Sequence, residues 1–137
     1  MKRLILALGL FAALVSTPLQ AQIMDMRGSI PFDFRIGSTV LPSGEYFIHH
    51  SGGMLFVRQA AGGNQGGFFL TKGEDRPATS DAKGTLVFSR YGDAYYLSKV
   101  WTPDSETART LPKTAREKEL ARHVGLSGTA TVSLRTK

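Results

Sequence analysis

The stretch GTLVFSRYGDAYYLSKVW, residues 84–101, consists of two runs of β-branched and aromatic residues around the pair Gly92-Asp93. Such residues favour strands, and a glycine at the first position of a two-residue turn adopts the positive φ of a type II′ hairpin. The stretch therefore predicts two antiparallel strands, Gly84–Tyr91 and Ala94–Trp101, joined by a tight turn. Alternation along each strand predicts two shared faces: Leu86, Phe88 and Arg90 on the first strand, and Tyr95, Leu97 and Trp101 on the second.

The chain before this hairpin contains further runs with strand patterning. Residues 30–36 (IPFDFRI) alternate apolar and polar side chains, and Pro31, which has no N–H, restricts that strand to a sheet edge or lies near its start. Two later runs are separated only by Gly52-Gly53 and predict a second hairpin. The strands predicted here are Ile30–Ile36, Glu45–Ser51, Met54–Gln59 and Phe68–Thr71, with a glycine-rich loop at Ala60–Gly67 and a polar surface loop at Lys72–Lys83.

The residues after Trp101 predict one helix and one more strand. Leu111–His123 is rich in helix formers, with Pro112 suited to its first turn and Gly125 to its end. Its apolar stripe is narrow, so we expect the helix to dock weakly. Thr129–Arg135 alternates again and predicts a closing strand. The predicted fold class is therefore all-β, with about seven antiparallel strands in a small sandwich or partly closed barrel and one short C-terminal helix before the last strand.

The first residues have the pattern of a cleavable export signal. Lys2-Arg3 precedes the uncharged apolar run Leu4–Val15, which is shorter than the roughly 20 apolar residues that cross a bilayer. A signal peptide over residues 1–21, cut between Ala21 and Gln22, fits this pattern, and an uncleaved N-terminal anchor is the alternative. The run has no preceding Arg-Arg pair, which favours the general secretory route and a periplasmic or extracellular location. No second long apolar run follows, so we expect no transmembrane segment after signal removal.

Charge and aromatic residues are unevenly distributed along residues 22–137, which are predicted to form a single β domain. All twelve Phe, Tyr and Trp residues after the signal lie between Phe32 and Trp101, which predicts an aromatic core within residues 30–101. Seven Lys and Arg against two Glu follow from Arg109 onward, so residues 109–137 are predicted as a basic helix-plus-strand tail. The two glutamates interrupt the basic residues, as in a solvated helix, and nucleic acid is not an expected partner of an exported protein.

Sequence motifs for catalysis, cofactors and metals are weak. The chain has no cysteine, which excludes thiolate metal sites. His49 and His50 are adjacent, so on a strand they point to opposite faces and do not chelate one ion together. The Ala60–Gly67 loop is not followed by the Lys-Ser/Thr of a phosphate loop, and no Gly-x-Ser-x-Gly motif occurs. We therefore expect no enzyme activity, no cofactor and no metal site.

Four blocks in order resemble a group of short exported bacterial proteins of unassigned activity. The blocks are Ile30–Phe34 (IPFDF), Leu41–Tyr46 (LPSGEY), Arg90–Trp101 (RYGDAYYLSKVW) and Arg116–Ala121 (REKELA). They follow the layout PFDF…LPxGxY…RYGDxYxLSxVW…REKELA. The resemblance implies an exported single domain with β structure, and it implies no catalytic residue and no cofactor.

Aromatic residues of the hairpin at residues 84–101 are the sequence-based candidates for a binding surface. Both faces of the second strand carry rings, whereas a half-buried sheet needs only one apolar face. Either both faces are covered, or one of them is a contact surface. The residues of this predicted contact face are Arg90, Tyr91, Tyr95, Tyr96, Lys99 and Trp101.

Three hypotheses about function follow from the sequence. The first is a non-catalytic interaction or structural module of the cell envelope or extracellular space, with an envelope protein or a polysaccharide as partner. The second is a small β-barrel carrier of an apolar ligand, since small barrels can enclose one. The third is a hydrolase without a recognisable site. A filled interior with an exposed aromatic face favours the module, and a continuous apolar cavity favours the carrier.

Overall fold

The computed structural model describes residues 26–63, 65–75, 84–102 and 107–136. The predicted signal peptide and its cleavage site, Ala21 and Gln22, lie outside these residues. The described residues form two β-sheets and one helix, α1 (Ala115–His123). In chain order the strands are β1 (Met26–Ile30), β2 (Phe34–Ile36), β3 (Thr39–Leu41), β4 (Gly44–Ser51), β5 (Met54–Gln59), β6 (Gly66–Leu70), β7 (Lys72–Asp75), β8 (Thr85–Tyr91), β9 (Ala94–Trp101), β10 (Thr107–Thr110), β11 (Gly128–Ser133) and β12 (Arg135–Thr136).

The two sheets form a sandwich. The first sheet has the strand order β12-β1-β4-β5-β6, and all its pairings are antiparallel. The second sheet has the order β11-β8-β9-β10-β7, with β2 and β3 attached at β9. Its one parallel pairing among the described strands joins Arg35 of β2 to Tyr96 of β9. The prediction of an all-β fold with a short helix before the last strand region is confirmed.

The strand count is higher than the predicted seven. Eleven described strands have three or more residues, and β12 has two. The predicted strand Ile30–Ile36 is divided at Pro31, because β1 pairs in the first sheet and β2 in the second. Residues 72–75, predicted as part of a surface loop, form β7 and pair with β10. β7 and β10 are short and polar, so neither has the apolar alternation on which the prediction of a strand depends.

The hairpin of β8 and β9 is present as predicted. Tyr91 pairs with Ala94 across the turn, and Gly92 has a φ of 61°. A positive φ at this position is the feature that the Gly-Asp sequence predicts. The register shifts within the hairpin, however, and this changes which residues share a face.

The shift is a β-bulge at Ser98 of β9, which has no single opposite residue on β8. One extra residue exchanges the two faces of the strand beyond it. Val100 therefore lies in the core with Leu97, and Trp101 lies on the other face. The predicted common face of Tyr95, Leu97 and Trp101 is wrong for this reason.

The core lies between the sheets and reaches beyond the aromatic segment at residues 30–101. Met26 precedes that segment, and Leu111, Val132 and Leu134 follow it. Phe34 is near the centre, where it meets the rings of two other core residues edge to face at 5.2 and 5.5 Å. The core residues are Met26, Ile30, Phe34, Ile36, Leu41, Tyr46, Ile48, Leu55, Val57, Leu86, Phe88, Leu97, Val100, Leu111, Val132 and Leu134.

Helix α1 begins at Ala115, later than the predicted start at Leu111. Thr114 is the N-cap residue, and its Oγ1 accepts a hydrogen bond from the N–H of Glu117 at 3.2 Å. Such a cap satisfies one of the first-turn N–H groups, which have no partner within the helix. Leu111 is buried in the core instead, and its N–H donates to the carbonyl of Ser98 at 2.9 Å.

The helix docks on the outer face of the second sheet through a polar contact. Glu117 is its buried residue, and the hydroxyl of Tyr91 donates to the Glu117 carboxylate at 3.3 Å. Burial raises the pKa of Glu117, while the Tyr91 hydrogen bond and the charge of Lys113 lower it. The predicted apolar stripe contributes less, since Leu120 is only partly buried and Val124 is exposed.

Candidate functional site

Two tyrosines of the predicted contact face are buried. Tyr91 and Tyr96 are 3% and 1% exposed, and their rings meet edge to face at 5.8 Å. The carboxylate of Glu117 lies against the Tyr91 hydroxyl, and the guanidinium of Arg35 lies 5.8 Å from the centre of the Tyr96 ring. Burial, and then the nearby charge of Glu117, raises the pKa of Tyr91. Tyr91 is therefore part of the packing between α1 and the second sheet, and Tyr96 is buried beside it.

The other four predicted contact residues do not form one surface. Tyr95 stacks on Phe32 with 3.9 Å between ring centres and packs against the core. Arg90 is exposed, and its guanidinium lies 5.9 Å from the Tyr95 ring. Lys99 forms an ion pair at 3.0 Å with a β7 glutamate, and Trp101 is partly buried. Both faces of β9 carry rings because both faces are covered, and a binding role for these residues stays a prediction.

A different group of rings lies on the outer face of the first sheet, where Phe68 is exposed and the other rings are partly buried. A groove of about 540 Å³ lies there over β4, β5 and β6. Ligand sites have volumes of roughly 300–1,000 Å³, so the groove has the size of a small-molecule site. We call it the aromatic groove. Its lining residues are Phe47, His49, Phe56, Val57, Arg58, Gly63, Gly66, Gly67 and Phe68.

Strand alternation explains why rings face outward at this groove. On β4, Tyr46 and Ile48 point into the core. The intervening Phe47 and His49 therefore point to the opposite face. On β5 the same alternation directs Leu55 and Val57 into the core and Phe56 and Arg58 to the groove face.

Three rings from adjacent strands form a row in the groove, which we call the ring row. His49 of β4 stacks on Phe56 of β5 with 4.4 Å between ring centres and 9° between planes. Phe56 meets Phe68 of β6 edge to face at 4.9 Å. The register produces this row, because it pairs His49 with Phe56 and Phe56 with Phe68. Phe68 is 70% exposed, so one end of the row is open to solvent.

Two arginines flank a fourth ring beside the ring row. The guanidinium carbons of Arg27 and Arg58 lie 5.3 and 5.7 Å from the centre of the Phe47 ring, which is within cation–π range. Arg27 is neutralised by Glu45, to which it donates two hydrogen bonds, one of them from Nη2 at 2.6 Å. These hydrogen bonds hold the pKa of Glu45 below its usual value. Arg58 is exposed and forms no ion pair with any other described residue.

Gly66 keeps the space beside Arg58 open. It is the partner of Arg58 on β6. Its φ is 147°, and a Cβ at this position would lie 2.1 Å from the carbonyl oxygen of Val57. A side chain is therefore excluded there, and β6 places none beside the guanidinium.

The two adjacent histidines lie in different surroundings, as their alternation predicts. His49 stacks in the groove, whereas His50 is partly buried on the core side of β4. Burial, followed by the charges of Arg109 and His49, lowers the pKa of His50. Among the described residues, no three His, Cys, Asp or Glu side chains are grouped so that they could hold a metal ion.

One sequence signal for the aromatic groove was present. The contact face on β9 was predicted because that strand carries rings on both faces. β4 does so too, since its neighbouring residues Tyr46 and Phe47 face opposite ways. The sequence does not show which ring-bearing face a helix covers. In the structure, α1 lies against Tyr91 of the second sheet and leaves the groove face of the first sheet open.

No family model, no curated protein and no solved structure matches this chain. Function is therefore argued from the site, since a fold alone does not define one. The helix found in the described ranges has nine residues. No helix among the described residues is long and apolar enough to cross a membrane.

Proposed function

We propose that this chain is an exported, non-catalytic binding module and that the aromatic groove is its ligand-binding surface. The observation that carries the proposal is the ring row, which ends in the exposed Phe68 and lies beside Arg58. Contiguous exposed apolar surface in a groove is typical of a binding site. The N-terminal signal pattern supports export.

The chemistry of the groove supports binding rather than catalysis. Among the described side chains that line it, only His49 and Arg58 are ionisable. General acid–base catalysis needs a group poised to exchange a proton with substrate, and the His49 ring lies flat on Phe56. The part of the lining that the structure describes contains no Ser, Cys, Lys or carboxylate that could act as a nucleophile. Stacked rings and one guanidinium are instead groups that hold a ligand.

The filled interior supports a module over a barrel carrier. Side chains from both sheets occupy the space between them, and Ile36, Leu41, Ile48 and Leu55 are completely buried. A β-barrel carrier of an apolar ligand needs an apolar cavity in the space between the sheets. The exposed rings lie outside the sandwich, on the first sheet.

The fluorescence of Nile red, a neutral dye that emits more strongly in apolar surroundings, tests the groove. We expect the purified protein to enhance the emission, and Phe68→Ala to lose most of the enhancement, because Phe68 is the open end of the ring row. Leu126→Ala is the matched control, since Leu126 is 60% exposed but lies in the turn after α1. Equal enhancement by all three proteins, or none by the wild type, contradicts the proposal.

A further inference from the structure

We infer that the ligand of the aromatic groove is a small amphipathic organic acid, with its carboxylate on Arg58 and its apolar part on Phe56 and Phe68. This inference rests on the proposed function and adds the chemical class of the ligand. Three features of the groove support it: the positive charge of Arg58, the contact of the Arg58 guanidinium with the Phe47 ring, and the apolar side chains that extend from there along β6.

The charge of the groove matches one anionic group. Arg58 is the described lining residue with a permanent charge, and no carboxylate of the described residues lines the groove. Arg27 and Arg135 lie on the same sheet, but both pair with Glu45. Arg58 therefore faces the groove without an ion pair to any described residue, and a guanidinium binds a carboxylate through two parallel hydrogen bonds.

The guanidinium is held in place before a ligand arrives. It lies 5.7 Å from the centre of the Phe47 ring, and an arginine stacked on a ring loses less side-chain freedom when it binds. The opposite position on β6 is Gly66, where a side chain is excluded. A ligand headgroup can therefore reach the guanidinium from the β6 side.

The apolar surface extends from this position along β6. Phe68 and Leu70 follow Gly66 at alternate positions and are 70% and 72% exposed. From Gly66 to Leu70 the strand spans about 13 Å at ~3.3 Å per residue, which is the length of a medium-length acyl chain. A ligand with its carboxylate at Arg58 thus lays its chain over Phe68 in the groove, and Leu70 extends the exposed apolar surface beyond the groove lining.

The same features favour a single free acid over a membrane surface. Contacts with anionic bilayers typically use clusters of about 4–8 Lys and Arg, whereas the described lining of this groove contains one arginine and no lysine. The groove is also a recess of about 540 Å³, which suits one small molecule.

Isothermal titration calorimetry with decanoate, decanol and decyltrimethylammonium compares three headgroups on one chain, with both ions below their critical micelle concentrations and decanol below its solubility limit. We expect decanoate to bind about tenfold more tightly than decanol, because a charge-assisted pair is stronger than a neutral contact, and the ammonium compound to bind more weakly than both. Arg58→Gln should abolish the preference for decanoate and leave the affinity for decanol unchanged. Arg90→Gln is the matched control, since Arg90 is also exposed over a ring, at 5.9 Å from Tyr95, but lies outside the groove.

Each other outcome has a defined meaning. Equal affinities for decanoate and decanol overturn the inference but leave the groove as the binding surface. An equal loss of decanoate binding in Arg58→Gln and Arg90→Gln also overturns it, because net charge then explains the preference. Failure of all three compounds, together with no enhancement of Nile red emission, contradicts the proposed function itself. Sedimentation with phosphatidylglycerol vesicles without binding of monomeric decanoate identifies a membrane surface and overturns the free-acid inference.

Discussion

Gly92 occupies the first turn position of the β8–β9 hairpin at a φ of 61°, a region in which residues with a Cβ are strained. A Cβ there would lie 3.7 Å from the nearest atom of Val124, an ordinary contact. The cost of a substitution therefore arises from the backbone and not from a clash. We expect Gly92→Val to lower the free energy of unfolding by about 1–3 kcal/mol, measured by urea denaturation.

The control for this turn is Gly92→Asn, because asparagine tolerates the left-handed region better than valine. It should unfold at a midpoint between those of the wild type and Gly92→Val. Equal urea midpoints for the wild type, Gly92→Val and Gly92→Asn would show that the turn does not require a positive φ at residue 92.

Glu117 places a carboxyl group in the interface between α1 and the second sheet. Burial raises its pKa, and this effect exceeds the opposite effects of the Tyr91 hydrogen bond and Lys113. Because the pKa of Glu117 is raised in the folded state, its protonated carboxyl group contributes stability that is fully present below the unfolded-state pKa of about 4.3. It is lost as the pH rises through the folded-state value. The charged form of Glu117 is therefore a cost at neutral pH.

We expect Glu117→Gln to be more stable than the wild type at pH 7, because glutamine keeps an acceptor for Tyr91 without a buried charge. The advantage should shrink as the pH falls and vanish below about pH 4, where the wild-type carboxyl group is protonated in both states. Thermal denaturation over a pH series measures this. Glu119→Gln removes the same charge at an exposed position of the same helix and is the control for net charge. A Glu117→Gln protein that is less stable than the wild type at every pH would refute the expected stabilisation.

At the scale of elements, the sequence predicts the strands whose apolar alternation is strong. The bounds of β5 and β9 coincide with Met54–Gln59 and Ala94–Trp101, and those of β4 and β8 differ by one residue. The bulge at Ser98 is not visible in this pattern, because a single inserted residue changes neither composition nor strand length. In the structure its hydroxyl donates to a β8 carbonyl at 3.0 Å.

The candidate site was less predictable than the strands. The sequence places rings on both faces of several strands, and the docking of α1 decides which face remains open. That docking uses the Glu117–Tyr91 hydrogen bond and not an apolar stripe, so helical periodicity gives no sign of it. The open face, and with it Arg58 and Phe68, follows only from tertiary contacts.

The start of α1 gives a test at the same scale. Thr114 caps the helix by accepting the Glu117 N–H, and loss of such a cap costs about 1 kcal/mol. We expect Thr114→Ala to lower the free energy of unfolding by this amount, measured by urea denaturation. Thr114→Ser keeps the hydroxyl and should remain near the wild type. Equal destabilisation by both substitutions would show that the methyl group, and not the cap, contributes the stability.

At the scale of the whole molecule, the N-terminal pattern predicts that the exported protein begins at Gln22. The basic pair, the short apolar run and the small residue Ala21 are the features that signal cleavage requires. Mass spectrometry of protein recovered from the envelope fraction measures the mature N-terminus. An intact Met1 end would contradict cleavage and favour the uncleaved anchor.

The C-terminal segment joins both sheets. β11 pairs with β8 in the second sheet, and β12 pairs with β1 in the first. Val132, within β11, and Leu134, between β11 and β12, lie in the core. The predicted closing strand Thr129–Arg135 is thus two strands that hold the sandwich together from its end, and not an addition to a finished core.

Deletion of residues 128–137 tests this role. It removes Val132 and Leu134 from the core, and the loss of one large core side chain costs about 2–5 kcal/mol, against a total stability of about 5–15 kcal/mol for a domain. It also leaves β8 as an unpaired sheet edge, which promotes aggregation. We expect this truncated protein to be unfolded or aggregated, as measured by circular dichroism and size-exclusion chromatography.

Deletion of residues 135–137 alone keeps both core residues and β11, so it should stay monomeric with a modest loss of stability. If the longer deletion is as stable and monomeric as the shorter one, β11 does not close the second sheet, and the core must be complete without Val132 and Leu134.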